Sequence, residues 1–108
     1  MMSDKQGDHI LLTIFLKHNQ KMTLDEIQAQ LDRVGFWKNF PPEGIEVASW
    51  YVMMGIGQVV TVRVPLARLR EVNVAIEKNA WGAFETEFYA TYDFAPVWQS
   101  FREKALSE

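Results

Sequence analysis

The chain contains no cysteine. This absence excludes disulfides, thiolate nucleophiles and cysteine-based metal sites, and it fits a reducing compartment such as the cytoplasm. No apolar run approaches the roughly 20 residues that a membrane-spanning helix needs. The first residues, MMSDKQGDH, lack the basic start and long apolar stretch of a signal peptide. We therefore expect a cytoplasmic protein with no membrane partner, in which residues 1–8 form a disordered tail.

Positive charge is also scarce. Lys and Arg number 11 against 14 Asp and Glu, which gives a formal net charge of -3. Because non-specific nucleic-acid binding depends mainly on Lys and Arg at the phosphates, we expect no nucleic-acid partner. The 108 residues are 48% hydrophobic and 23% charged, the composition of an ordinary folded domain. Residues 9–108 are accordingly predicted to form a single domain.

Apolar periodicity predicts the first half of the chain as strand, helix, strand. HILLTIFLK (9–17) is short and rich in Ile, Leu and Phe, as strands are. A helix follows in TLDEIQAQLDRVG, where Thr23 and Glu26 form a capping box and Gly35 suits the left-handed C-terminal position. FWKNFPPEG is an aromatic connection in which two prolines exclude a continued helix. IEVASWYVMMG is the second strand.

The second half repeats strand, helix, strand and adds a helix. The GIG turn leads into the strand QVVTVRV, since glycines can adopt the positive φ of a hairpin loop. Pro65 opens the next helix, with Leu66, Leu69, Val72 and Ile76 as its buried stripe. ETEFYATYDF alternates as the fourth strand. Pro96 starts a final helix that places Val97, Trp98, Phe101 and Ala105 on one side.

The order β-α-β-β-α-β favours an α+β fold, a ferredoxin-like split βαβ sandwich with a four-stranded antiparallel sheet in the order 4-1-3-2 and an added C-terminal helix. Two helices cover only one face of such a sheet. The other face would carry Leu11, Phe15, Val59 and Tyr89, and an exposed apolar patch of this size is typical of an interface. We expect a second copy to cover it, giving a homodimer through the sheet face.

The stretch GIGQVVTVRVPLARLREVNVAIEKNAWGAFETEFYATY resembles the dimeric α+β barrel superfamily, which includes muconolactone isomerase-like, GYD-type and antibiotic-biosynthesis-monooxygenase-like domains. The resemblance covers residues 9 to about 105 as an order of elements. It implies a dimeric α+β barrel with a small-molecule pocket between sheet and helices or at the dimer interface. GIGQ stands where the GYD-type signature GEYD would be expected, so no functional residue is carried over.

Four residues are candidates for catalysis. Strand parity places Arg63, Glu87 and Tyr89 on the uncovered face, with Arg63 and Glu87 about 9–10 Å apart across the first strand. Such a pair could bind a polar substrate group or move a proton. The alternative is an ion pair that fixes the register of the dimer. His18 could act as a general base, and the alternative is a solvated loop residue.

The candidates for ligand binding are hydroxyl and aromatic residues. Aromatic side chains line most small-molecule pockets, and they are also common in cores and interfaces, so both interpretations stay open. FWKNF and NAWGAF are the connections at which a pocket mouth could lie. The candidate residues are Thr13, Phe15, Trp37, Trp50, Tyr51, Thr61 and Trp81.

No ligand set for a metal is present at a recognisable spacing, and we predict no metal and no cofactor. Three classes of function follow. The first is a small dimeric protein that binds a small apolar or aromatic molecule without catalysis. The second is a cofactor-independent isomerase or monooxygenase that uses the four catalytic candidates. The third is a haem-binding or haem-degrading protein, in which His18 would be the axial ligand.

Overall fold

The computed structural model describes residues 8–108. The predicted tail over residues 1–8 therefore falls outside the described residues except at Asp8, whose carbonyl oxygen accepts the Leu66 N–H at 2.7 Å. The elements are β1 (His9–His18), α1 (Leu24–Val34), α2 (Phe36–Asn39), β2 (Glu46–Met53), β3 (Gly57–Pro65), a 3-10 turn (Leu66–Arg68), α3 (Leu69–Asn79), β4 (Phe84–Thr91) and α4 (Ala95–Leu106).

The four strands form one antiparallel sheet in the order β2-β3-β1-β4. This is the predicted order 4-1-3-2 counted from the other edge. Thr13 in the middle of β1 lies opposite Thr61 of β3 and opposite Tyr89 of β4. The fold is therefore α+β with an open four-stranded sheet, and β2 and β4 are its edges.

One face of the sheet is buried beneath α1 and α3. Alternate residues of β1 and β3 point into this core, which also contains Ile27 and Leu31 of α1 and Val72 and Ile76 of α3. The opposite face, called here the open face, is covered by no helix of the described chain. Its residues, taken from the strand register, include Leu11, Thr13, Phe15, Lys17, Glu46, Ser49, Tyr51, Val59, Thr61, Arg63, Glu85, Glu87, Tyr89 and Thr91.

Helix α1 begins and ends where the sequence predicts. The Glu26 N–H donates to Thr23 Oγ1 at 3.1 Å, and the Thr23 N–H donates to Glu26 Oε1 at 2.8 Å, which completes the capping box. Gly35 ends the helix with a φ of 79°. These two caps satisfy backbone groups that the helix itself leaves unpaired.

The aromatic connection differs from the prediction because it contains a short helix. Residues Phe36–Asn39 form α2 directly after Gly35, and the chain then passes through a cis bond between Phe40 and Pro41. Phe36 and Phe40 are buried in the core. The prolines still exclude a longer helix. Phe36 and Phe40 pack beneath the sheet, whereas Trp37 and Lys38 border a shallow cavity of about 200 Å³.

The start of α3 also differs. Pro65 is the last residue of β3, and a 3-10 turn precedes the α-helix, which begins at Leu69. The turn changes the angular spacing of the side chains, because a 3-10 helix has three residues per turn. As a result Leu66 is 50% exposed instead of buried, and Leu69 is 37% exposed. Only Val72 and Ile76 of the predicted stripe lie in the core.

Candidate functional site

A groove lies between α3 and the sheet. Its volume is about 510 Å³, and it is lined by Leu12, Leu69, Arg70, Asn73 and Phe88. Leu12 and Phe88 supply the floor from β1 and β4, whereas the other three residues belong to the first two turns of α3. The lining is therefore mainly apolar, with its polar groups on the helix.

The groove has a local cause in the sequence. Ala90 of β4 lies directly opposite Leu12 of β1, so the two side chains share the helix-covered face. The small alanine side chain covers little of this face, and Leu12 and Phe88 form the groove floor. The late start of α3 at Leu69 places that residue at the edge of this space with part of its side chain exposed. Together these features leave the groove open to solvent.

Two polar groups of α3 are available at the groove. Within residues 8–108 no carboxylate forms a salt bridge with Arg70. Asn73 donates from Nδ2 to Glu77 Oε2 at 3.1 Å, which leaves its side-chain oxygen as an acceptor. A guanidinium at the border of an apolar groove can form charge-assisted hydrogen bonds with an anion such as a carboxylate. The groove thus offers an apolar floor and a cation to the same ligand.

The open face carries a second candidate site, a row of three threonine hydroxyls across β3, β1 and β4. Thr13 Oγ1 lies 2.9 Å from Thr61 Oγ1 and 3.0 Å from Thr91 Oγ1, and Thr91 donates to the Leu11 carbonyl oxygen at 2.9 Å. Each hydroxyl has one proton. Since Thr91 gives its proton to Leu11, Thr13 donates to Thr91 and Thr61 donates to Thr13. The row therefore ends in an acceptor at Thr61.

Beside this row, Glu87 joins Lys17 and Tyr89. Lys17 Nζ lies 2.6 Å from Glu87 Oε2, and the Tyr89 hydroxyl donates to Glu87 Oε1 at 3.0 Å. The Lys17 ammonium and then the Tyr89 hydroxyl lower the pKa of the Glu87 carboxyl by hydrogen bonding to its charged form. The same bonds raise the pKa of Lys17 and the pKa of Tyr89.

The directions of these three pKa shifts decide how well the groups could transfer a proton. A general acid or base works best when its pKa lies near the working pH. The hydrogen bonds move the pKa values of Lys17, Glu87 and Tyr89 away from neutrality, so each group keeps its resting charge. The geometry therefore favours an ion pair that stabilises the sheet over a proton-transfer site, and the catalytic role of Glu87 and Tyr89 stays a hypothesis.

A titration would measure the bond between Glu87 and Tyr89 directly. We expect one of the three tyrosines to ionise at a raised pH, because its neutral hydroxyl donates to the ionised Glu87. In Glu87→Gln the ionisation of this tyrosine should move to lower pH, because its hydroxyl no longer donates to a charged acceptor. Ultraviolet absorbance of the phenolate measures it, and Tyr89→Phe identifies the residue. Glu85→Gln is the control, and equal curves for the two Gln variants would contradict the assignment.

Arg63 and Glu87 are not partners, contrary to their predicted juxtaposition. Arg63 lies opposite Leu11, whereas Glu87 lies opposite Phe15, four residues further along β1. This offset separates Arg63 and Glu87 by about 13 Å along the strands, in addition to the separation of about 9–10 Å across β1. Arg63 instead pairs with Glu46 on β2, with 3.4 Å between Nε and Oε1. Strand parity gave the correct face for both residues, but it carries no information about position along the strand.

His18, the last residue of β1, is packed against an aromatic ring. Its ring stacks on Phe84 with centroids 5.7 Å apart, and its backbone N–H donates to the Ile56 carbonyl oxygen at 2.8 Å. It borders a shallow cavity of about 280 Å³ together with Asn19 and Met22. The contact with Phe84 gives His18 a packing role at the end of the strand.

The aromatic ligand candidates lie in three separate places. Phe15 and Tyr51 are on the open face, where Phe15 packs edge-on against Tyr89 with centroids 5.7 Å apart. Trp50 is half-buried on the other face, and its Nε1 donates to Gln58 Oε1 at 2.6 Å. It forms an aromatic cluster with Trp37 and the core residue Phe36. These candidates therefore do not line one pocket.

Trp81 stands apart from the other aromatic candidates. Its side chain is exposed, and Nε1 donates to Thr86 Oγ1 at 3.1 Å. It borders an open depression of about 370 Å³ beside the start of β4. Of the predicted ligand-binding residues, the structure brings together two pairs: Thr13 and Thr61, which share the hydroxyl row with Thr91, and Trp37 and Trp50, whose ring centroids are 6.2 Å apart.

Sequence reasoning missed the residues of the groove. Leu69 was assigned to the buried stripe of its helix, and Arg70 and Asn73 had no motif to distinguish them. The sequence did contain one signal. Asn73 follows Leu69 by four residues and Arg70 by three, and this spacing places a leucine, a cation and an amide near one face of the helix. Strand alternation puts Leu12 and Phe88 on the face opposite to Leu11 and Tyr89, but it carries no information about where α3 leaves that face uncovered.

Among residues 8–108, no group of three or more His, Asp or Glu side chains is arranged to hold a metal ion. No helix in the described part of the chain has the length and apolarity needed to cross a membrane. Comparison of the chain with models of protein families, with curated proteins and with solved structures gives no match.

Proposed function

We propose that this protein binds a small apolar or aromatic molecule that carries an anionic group, and that the ligand lies in the groove between α3 and the sheet. The observation that carries the proposal is the groove itself, with its apolar floor and Arg70 at its border. Small-molecule pockets occupy about 300–1,000 Å³ and combine apolar walls with a few polar groups. The groove of about 510 Å³ fits this description in size and in chemistry.

Each lining residue has a distinct part in this proposal. Leu12, Leu69 and Phe88 would contact the apolar body of the ligand. Arg70 would bind its anionic group, and the free side-chain oxygen of Asn73 would accept a hydrogen bond from a hydroxyl or amine. Aromatic carboxylates and short fatty acids have this combination of groups.

The proposal is tested with 1-anilinonaphthalene-8-sulfonate, an aromatic anion that becomes fluorescent in an apolar environment. We expect saturable binding to the folded protein. Leu69→Gln should weaken it roughly tenfold, because apolar contact with one leucine side chain contributes about 1.5 kcal/mol or more. Arg70→Gln should weaken it as well, and more at low ionic strength than at high, since salt screens the attraction.

Matched controls lie close to the groove but outside its lining. Leu66→Gln changes a leucine that is 50% exposed in the preceding 3-10 turn, and Lys78→Gln removes one positive charge from the last turn of α3. Neither should change binding more than about twofold. If Leu69→Gln and Leu66→Gln act alike, the groove is not the site. Binding that survives Leu69→Gln but is lost in Phe15→Gln would place the ligand on the open face instead.

We also propose that the domain belongs to the ferredoxin-like dimeric α+β barrels and pairs with a second copy through the open face. The strand order and the position of α1 and α3 on one face support the fold. The uncovered Leu11, Phe15 and Val59 support the pairing, because large apolar patches usually mark interfaces. The absence of cysteine supports our expectation of a reducing compartment.

A further inference from the structure

The last helix leaves its apolar side without a partner. No residue of α4 is buried, and every residue from Tyr89 to Glu108 is exposed. Trp98 is 52% exposed and Phe101 is 64% exposed. Residues three and four apart share one side of a helix, and by this spacing the α4 stripe consists of Phe94, Val97, Trp98, Phe101 and Ala105.

The start of α4 is well defined. Asp93 Oδ1 accepts the Ala95 N–H at 2.9 Å, and the Trp98 N–H donates to the Phe94 carbonyl oxygen at 2.8 Å. Pro96 lies in the first turn, where proline is favoured. The radius of gyration is 17.0 Å, whereas a compact domain of this length has about 13 Å. The helix thus extends from the domain as an ordered arm.

A second apolar surface is exposed on the hairpin between β2 and β3. Met54 at its tip is 92% exposed, and Val52 is 71% exposed. Met54, Tyr51 of the open face and Ile56 of the turn form the hairpin patch, whereas Val52 points to the opposite face of β2. Within the described chain, α4 and the hairpin patch are two places where several large apolar side chains are exposed side by side.

The strand register puts these two surfaces at opposite corners of the sheet. β4 ends at Thr91 beside Leu11, at the start of β1. The hairpin joins β2 to β3 at the other edge and at the other end, where Met53 lies opposite Gly57. The corners are separated by about 14 Å across three strand spacings and about 23 Å along the strands.

We propose that α4 of each copy packs its stripe on the hairpin patch of a second copy. The proposal rests on the face-to-face dimer of the proposed function. When two sheets stack with their strands crossed at nearly 90°, a two-fold axis at 45° to the strands carries each of the two corners to within about 6 Å of the other. Each α4 then meets the partner's hairpin, and the interface is closed and self-complementary.

The areas favour this arrangement. A face four strands wide and eight residues long has a flat projection of about 500 Å², which makes it a small interface, since a standard one removes about 800 Å² of accessible surface from each partner. A helix of 12 residues is about 18 Å long and about 10 Å wide, so its footprint is about 180 Å². Each copy both gives and receives one α4, which raises the footprint on each partner to about 860 Å².

Cysteine cross-linking tests the contact, because the natural chain has no cysteine to compete. Val97→Cys and Ala105→Cys place a thiol at either end of the stripe, and Met54→Cys places one on the hairpin. Each stripe variant is mixed with the hairpin variant and oxidised mildly. We expect a disulfide-linked heterodimer from at least one of the two mixtures. Glu103→Cys, on the polar side of α4, is the control and should cross-link much more slowly.

Light scattering of the unmodified protein and of Phe101→Ser distinguishes failure of the α4 contact from failure of the sheet-face dimer. We expect a dimer whose dissociation constant rises at least tenfold in Phe101→Ser and less than twofold in Leu106→Ser, which changes an exposed residue outside the stripe. A dimer without stripe-specific cross-links or effects would overturn the role of α4 and keep the sheet-face dimer. A mass of 12.5 kDa at micromolar concentration would overturn the dimer as well.

Discussion

Replacing Phe36 with alanine is expected to lower the free energy of unfolding by about 3–5 kcal/mol. The side chain is fully buried and belongs to a helix of four residues that has no side-chain cap. Its ring therefore fixes α2 to the core. Truncation removes the contacts and leaves a cavity that rigid neighbours fill poorly. The rings around it, at centroid distances from 4.8 to 6.4 Å, belong to Trp37, Phe40, Trp50 and Phe84.

The control for this prediction is the next residue of the same helix. Trp37 is 53% exposed, and Trp37→Ala should cost only about 1–2 kcal/mol through its ring contacts with Phe36 and Trp50. Urea unfolding followed by circular dichroism measures both, at one protein concentration because association would stabilise the folded chain. Equal losses for the two variants would show that burial of Phe36 does not anchor α2.

Replacing Gly57 with alanine should destabilise the protein by about 3–5 kcal/mol through steric overlap and backbone strain. Gly57 begins β3 with a φ of 154°. A Cβ at this position would overlap the carbonyl oxygen of Leu16 and lie 2.9 Å from the Cα of Lys17. Both are backbone atoms of the central strand, so they cannot move aside without separating β3 from β1.

Gly55 in the same hairpin is the matched control. Its φ is 78°, and a Cβ there meets no heavy atom within 4 Å. Gly55→Ala should therefore lower the free energy of unfolding by only about 1–2 kcal/mol, the cost of holding an alanine in the left-handed conformation. The difference between the two variants in urea unfolding isolates the contact with β1. If Gly57→Ala is no more destabilising than Gly55→Ala, the close approach of the two strands does not constrain this position.

Much of the fold follows from short-range patterns. The capping box of Thr23 and Glu26 and the glycine after α1 satisfy or terminate backbone hydrogen bonds locally, so their effect is visible within a few residues. Alternation identified the two faces of β1, and the structure buries Leu12, Ile14 and Leu16 as that pattern requires. The order of the elements then left few chain paths, which is why the strand order could be predicted.

The candidate sites depended on distances that these patterns do not contain. Parity assigned Arg63 and Glu87 to one face, but the register separates them by four residues along β1 and gives each another partner. Arg63 pairs with Glu46, and Glu87 pairs with Lys17. Opposite charges pair with the nearest available partner across a strand, and which residue is nearest depends on register.

The sequence by itself determined the four strands, the three longer helices, their order and the apolar faces of β1 and β3, because hydrogen-bond caps and side-chain periodicity act over only a few residues. It did not predict the short α2 or the 3-10 turn before α3. The tertiary structure decided the groove, since the small Ala90 and the late start of α3 matter only where β4 meets that helix. It also decided that α4 leaves the domain instead of packing on it. An amphipathic helix needs an apolar surface to cover, and only the assembled sheet shows where such a surface stays uncovered.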